Sequence, residues 1–223
     1  MKHIIVDLEM NAVAKNFREE RKVCSMEVIE IGAVALDEDY KEIAEFKTFV
    51  KPQYNSRVEK VFEDITGITT EMVEEAPFFE FALREFFCWC RNLEDDIQVY
   101  QWSESDLEQL LKEICLKEIS LNAEEMEFLG DWWDFQKEYG EKLMLTRAVS
   151  LKNAMMYAGI EFEGQQHDAL WDARNTATLL RIVRDPKLCK NALDKVIEIL
   201  TPKTLSTSLG DLFDFSEFAG MFV

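Results

Sequence analysis

Histidine is nearly absent from the chain: only His3 and His167 occur in 223 residues. Basic side chains are also scarce, 25 Lys and Arg against 44 Asp and Glu, which leaves a net charge of −19 and a pI near 4.5. That imbalance argues against indiscriminate adhesion to nucleic acid or anionic membrane, and it favours solubility. It does not exclude phosphate chemistry, because carboxylates that gather divalent cations create a locally positive site. With four prolines and eight glycines, no Pro/Gly/Ser-rich linker, repeat or low-complexity tract divides the chain. No run of about 20 apolar residues is present, which excludes a membrane-spanning helix. The opening MKHIIVDLEM turns charged too soon for the apolar core of a secretory signal. The five cysteines are odd in number and lack framework spacing. Cys88 and Cys90 form a C-x-C inside an apolar run with no second Cys/His pair nearby. They read as core thiols, and the set as free or buried thiols of a reducing compartment, so the expected location is cytoplasmic.

What is present is enough for a sizeable core. The hydrophobic share is 48%, ordinary for a globular protein, and the length suits one large domain or a domain with additions. β-Branched or alternating runs predict strands over 4–9, 28–36, 45–50 and 97–102, the first three as a meander. Apolar residues at helical spacing predict helices over 77–89, from Asp106 onward, over 150–157 and over 168–183. Strands first and then alternation of strand and helix indicate an α/β or α+β layer fold, of which α/β is the expected class. Residues 1–200 are expected to form one domain. Residues 201–223, rich in Ser, Thr, Asp and Phe, are expected to be an extension or tail.

Three places combine charge with structure in an unusual way. Asp7 and Glu9, at i and i+2 of a strand, project from the same face, where two carboxylates repel unless a cation joins them. Read alone, they are equally well two solvated groups just past a strand end. His167 and Asp172 would stand about 140° apart on a continuous helix. They converge only if His167 lies on the preceding loop and Asp168 caps the helix; the alternative is a surface histidine beside a cap. Asp106 sits near a helix start after a strand, where a helix-capping role is the simplest local reading.

Together, D-x-E on the first strand, a middle Asp after a later strand and H-x4-D opening a late helix resemble the DEDDh exonucleases. These belong to the DnaQ-like, RNase H-like superfamily. The likeness extends to Val28-Ile29-Glu30-Ile31-Gly32-Ala33-Val34 and to Ile65-Thr66-Gly67-Ile68, which is similar to a substrate-side loop of that family. Ser150-Leu151-Lys152-Asn153-Ala154 and the run from His167 to Ala177 are similar to the KapD/Eri-type branch. The middle motif departs from the family's usual form, since Tyr100-Gln101-Trp102-Ser103-Glu104-Ser105 precedes Asp106 without the customary Gly or Asn. Glu104 and Glu108 stand nearby as competing carboxylates.

The resemblance implies an RNase H-like (DnaQ-type) mixed central sheet flanked by helices. It also implies two divalent cations, Mg²⁺ or Mn²⁺, held by Asp7, Glu9, Asp106 and Asp172, a donor set suited to hard ions. Asp7 would bridge both ions, Glu9 and Asp172 would complete the one that activates water, and Asp106 would support the second through water. His167 would accept the proton of the attacking water. An imidazole of ordinary pKa is neutral at physiological pH, so the rate is expected to rise with pH through about neutrality. The implied reaction is 3′–5′ exonucleolytic hydrolysis of single-stranded RNA or DNA ends, RNA favoured, to nucleoside 5′-monophosphates.

Grip on a polyanion has to be local, because the global charge opposes it. The stretch 15–22, with Lys15 and Arg18, is the one basic segment near the first motif and reads as a loop over the phosphates or as a solvated charged loop. Met10, Phe62 and Ile68 offer apolar surface to a terminal base. Two other readings stand beside the exonuclease. One is a non-catalytic module of this fold that binds a protein partner through its acidic surface or its Phe-rich tail (Leu212, Phe213, Phe215, Phe218). The other is a phosphodiesterase of very short oligonucleotides.

Overall fold

A computed structural model describes residues 1–93, 96–130 and 132–200. The expected tail, with its Phe-rich segment, lies outside the described residues. The apolar β-branched opening forms a strand, β1 (Lys2–Ala12), that runs well past Asp7 and Glu9. The carboxylates are therefore set in the strand and not solvated beyond its end. α1 (Glu20–Val23) follows, then β2 (Met26–Leu36) and β3 (Glu42–Phe49). α2 (Lys60–Thr66), α3 (Thr70–Glu74) and α4 (Phe79–Arg91) lead to β4 (Ile97–Gln101). α5 (Ser105–Leu116), α6 (Ala123–Gly130), β5 (Trp132–Asp134) and α7 (Phe135–Lys142) come next. α8 (Leu151–Ala158), α9 (Ala169–Arg184) and α10 (Pro186–Leu200) complete the described chain.

The five strands form one mixed sheet in the order β3-β2-β1-β4-β5. β1, β2 and β3 pair antiparallel, as the predicted meander requires. β4 lies parallel to β1, and β5 parallel to β4. Strand alternation sorts the side chains to two faces. Ile4, Val6, Ile31 and Val99 pack against Phe86 of α4 and Leu110 of α5. Ile5, Val34 and Tyr100 face Phe135 of α7 and Leu180 of α9 on the other side. The isoleucines Ile4 and Ile5 are fully buried, and each such side chain contributes about 1.5–3 kcal/mol relative to exposure. α8 and α10 form a further layer over α9.

Several local expectations change. Asp106 is not a cap: Glu104 holds that position and Asp106 sits inside the first turn of α5, buried. The basic 15–22 segment is not all loop, because α1 begins at Glu20. Its cations are partly engaged there: Arg21 donates to the Val13 carbonyl and Lys22 to Glu19. All five cysteines are free, and Cys88 is exposed on the outer side of α4 while Cys90 is buried. Helical alternation, not core membership, separates these two thiols.

Candidate active site

The site is assembled where the carboxyl-terminal half of β1 meets the start of α9. Asp7 and Glu9 share a face of β1; opposite them on β2 stand Gly32 and Glu30. Gly32 leaves room for the helix: a Cβ there would lie 2.3 Å from the Ala169 carbonyl carbon and the Leu170 nitrogen. No side chain fits at that separation, so α9 rests directly on the backbone of β2 and brings Asp172 to the strand carboxylates.

The helix start is pinned by charge. Glu30 is 1% exposed; its Oε2 accepts from the Ala169 N–H at 2.8 Å, and its Oε1 meets Lys47 Nζ at 3.0 Å. Lys47, on β3, also reaches Asp168 Oδ2 at 2.6 Å. Asp168 caps α9 by accepting from the Trp171 N–H at 3.2 Å. His167 therefore lies on the loop just before the helix. Its backbone is left-handed, with φ 62°, and its N–H donates to Asp172 Oδ2 at 3.2 Å. This turn folds His167 back toward Asp172, the convergence that a continuous helix forbids. Gln165 ties the same loop to the end of α2 by donating to the Thr66 carbonyl at 3.0 Å.

One cavity of about 410 Å³ is lined by Asp7, Glu9, Asp106, His167 and Asp172 together. One ligand atom from each of Glu9, His167 and Asp172 falls within 4.8 Å of the others. His167 Nδ1 stands 3.9 Å from Glu9 Oε1. The Asp106 carboxylate lies toward the Leu8 backbone N–H, which favours its charged form and sets the start of α5 against the strand between the two acids. Asp172 Oδ1 is buried with no hydrogen-bond partner among the described residues.

Crowding and burial shift the acids upward. Desolvation, then the charges of Asp106, Asp172, Glu9 and Glu30, push Asp7 well above the usual carboxylate range. Burial, followed by the Asp172 and Glu30 charges, raises Glu9 to about 9. Burial likewise raises Asp106 and Asp172 to about 7, opposed in each by a backbone N–H. Four crowded acids and a buried carboxylate oxygen without a hydrogen-bond partner among the described residues form a hard-oxygen donor set. The residues fit divalent cations.

Other candidate contacts divide. Met10 and Phe62 line the cavity, joined by Ile65, Trp102, Ser103 and Ser105. Ile68 does not: it is 3% exposed and packs with Ile29, Val58 and Val73 beneath the loop. Its position in the loop motif does not reveal which way the side chain turns. Lys15 and Arg18 are exposed beyond the end of β1 and outside the cavity lining. Sequence reading missed Lys47 and Gln136. The signal for the first was available, since Glu30 set among apolar residues of β2 calls for a cation beside it. Gln136, a neutral amide on a short helix, gave none.

The family model described as Exonuclease (RNase T) matches residues 4–180. Among curated proteins, the chain is 29% identical over 231 residues to ERI1 exoribonuclease 2 of Mus musculus, covering 93% of this chain and 32% of that protein. It is 26% identical over 168 residues to 3′-5′ exoribonuclease 1 of Rattus norvegicus, covering 71% of this chain and 47% of that protein. The chain thus spans less than half the length of these relatives. A solved 3′-exonuclease structure, described as 3′-end specific recognition of histone mRNA stem-loop, matches with TM-score 0.72 and 21% identity, covering 83% of this chain and 64% of that one. The nuclease domain of 3′hExo, a DEDDh family member bound to rAMP, matches with TM-score 0.70 and 21% identity, covering 81% and 90%. These likenesses establish the RNase H-like fold. With the acids and histidine in place on that fold, the chain belongs to the exonuclease (RNase T) family.

Proposed function

We propose that this chain is a 3′–5′ exoribonuclease that removes nucleoside 5′-monophosphates from single-stranded RNA ends. The observation that carries this reading is the convergence of Asp7, Glu9, Asp106, Asp172 and His167, from three separate elements and a loop, on one cavity. Two divalent cations, Mg²⁺ or Mn²⁺, held by Asp7, Glu9, Asp106 and Asp172 would supply charge stabilisation at the phosphoryl group and a more acidic water. The chain's own part is orientation and proton transfer. Gly32, Glu30 and Lys47 seat α9 so that Asp172 faces Glu9. His167, with 54% of its side chain exposed, reaches both the cavity and solvent, so a proton taken from water passes outward. Met10, Phe62 and Ile65 form an apolar wall for the terminal base, and Ser103, Ser105 and Gln136 a polar wall for its sugar and edges. The names of the curated relatives favour RNA over DNA as substrate.

Labelled single-stranded RNA and DNA incubated with Mn²⁺ or Mg²⁺ test the reading. Stepwise shortening from the 3′ end, lost in Asp7→Ala, is expected. Intact substrate with either metal overturns it in favour of a non-catalytic module, and cleavage confined to di- to tetranucleotides overturns it in favour of a short-oligonucleotide phosphodiesterase. His167→Asn tests the proton acceptor, because Asn tolerates a left-handed backbone. It is expected to lower turnover and to abolish the rise in rate through neutral pH.

A further inference from the structure

The catalytic cavity has an exit that no basic segment of the sequence announces. On the side away from β1 it is bounded by Gln136, Ser150 and Leu151. Gln136 also lines a second groove of about 320 Å³, together with Lys137, Thr146 and Arg147. Gln136 thus borders both spaces, so they lie side by side along its side chain. The connecting loop is held in place. The Val149 carbonyl accepts from Gln136 Nε2 at 2.9 Å and from Trp102 Nε1 at 3.3 Å, and Ser150 caps α8 by accepting from the Asn153 N–H. Arg147 and Lys152 therefore flank a fixed point, one on each side of it in the chain. Both are exposed, and among the described residues neither has an ion-pair or hydrogen-bond partner.

That freedom is informative in so acidic a chain. Lys47, Arg84, Lys117, Arg174 and Arg184 are all committed to carboxylates. Asp134 and Glu141 also line the groove, and Asp134 is engaged as the cap of α7 by accepting from the Lys137 N–H. Arg147 is thus an uncommitted cation in the lining that a polyanion leaving the cavity can meet. Resting on the exonuclease reading above, we propose that Arg147 and Lys152 are substrate-binding residues that hold backbone phosphates of the RNA strand upstream of the terminal nucleotide. The strand passes over Gln136 into the second groove. Recognition there is of phosphate and so independent of base sequence.

Two substrates separate this role from chemistry. The p-nitrophenyl ester of thymidine 5′-monophosphate needs only the catalytic cavity; a 12-nucleotide RNA also needs the exit. In Arg147→Gln/Lys152→Gln, KM for the RNA is expected to rise about tenfold at 0.1 M salt, with its kcat and hydrolysis of the small ester unchanged. The slope of log(kcat/KM) against log[salt] is expected to flatten by about 1.4, roughly 0.7 for each lost phosphate contact on a single strand. Anisotropy of labelled RNA in Ca²⁺ reads the same groove without turnover and should show a comparable loss of affinity. Unchanged KM, slope and affinity overturn the proposal, as does an equal loss on both substrates. The same effects appearing in Lys15→Gln/Arg18→Gln instead would route the strand over the opposite rim and also overturn it. Wild-type protein inert toward both substrates, yet binding RNA through Arg147 and Lys152, would refute the exonuclease reading and leave the groove standing.

Discussion

Gly32 and Ala169 meet backbone to backbone, with 2.3 Å between the Cβ position that glycine leaves empty and the Ala169 carbonyl carbon. The whole disposition of Asp172 toward Asp7 depends on that contact. Gly32→Ala has no flexible neighbour to displace, so the start of α9 must lift from the sheet. A stability loss of about 1–3 kcal/mol is expected from such overpacking, visible as a lower denaturation midpoint. Turnover should fall more steeply than stability, because displacement of about an ångström in a catalytic group costs on the order of a hundredfold.

Lys47 carries a different part of the same attachment. Lys47→Met leaves Glu30, buried at 1% exposure, without its cation and frees Asp168 from β3. Because the Lys47 side chain is 32% exposed, solvent moderates the loss, which is expected to be about 2 kcal/mol. Lys47→Arg should recover most of it, and Glu30→Gln in the Lys47→Met background should recover part, since the neutral amide needs no counter-charge. Chemical denaturation of the three variants checks the pattern.

The raised acids make stability depend on pH in a defined direction. Unfolded carboxylates titrate near their ordinary values of about 4. In the folded chain Glu9 is raised to about 9, and Asp106 and Asp172 to about 7. Between about pH 4 and 9 the native state therefore holds more protons than the unfolded state, so stability falls as pH rises through that window. Melting in a chelator at pH 5, 7 and 9 should show the decline. Mn²⁺ should raise the melting temperature, and more at pH 9 than at pH 5, because protons and cations compete for the same oxygens. A melting temperature independent of pH contradicts the crowding of these acids.

Asp7→Asn separates stability from activity. Asp7 meets the charges of Asp106, Asp172, Glu9 and Glu30 in a buried position; a neutral amide there is free of that repulsion, so at high pH, where Asp7 ionises, the metal-free protein should gain about 1 kcal/mol. Turnover should drop by about a thousandfold or more, equivalent to about 4 kcal/mol of transition-state stabilisation. Calorimetry should show weakened Mn²⁺ uptake in the same variant.

Much of the centre was legible because strand geometry is regular. The period of two set Asp7 and Glu9 on one strand face, and a loop-to-helix junction allowed His167 to meet Asp172, but each spacing left a solvated alternative standing until the combined pattern resembled the DEDDh set. Asp106 was harder. A carboxylate at a helix start looks the same whether it caps the helix or turns inward, and only the path of β4 into α5 decides. Ile68 shows the same ambiguity for an apolar side chain, which serves core or substrate equally well by type. The short elements α2, α3, β5 and α7 carried too few periods to be read. The three-residue strand Trp132–Asp134 exists because β4 offers it an edge, a condition set by distant chain.

The left-handed turn at His167 is held by Asp172, a residue still to come in the chain when the histidine is made. During synthesis, β1 and α5 emerge with their acids in place but with no counterpart from α9. A growing polypeptide therefore passes through most of its length without a complete cradle for cations. The cradle closes in a single step, when α9 settles over Gly32 and carries Asp172 and His167 to the strand acids.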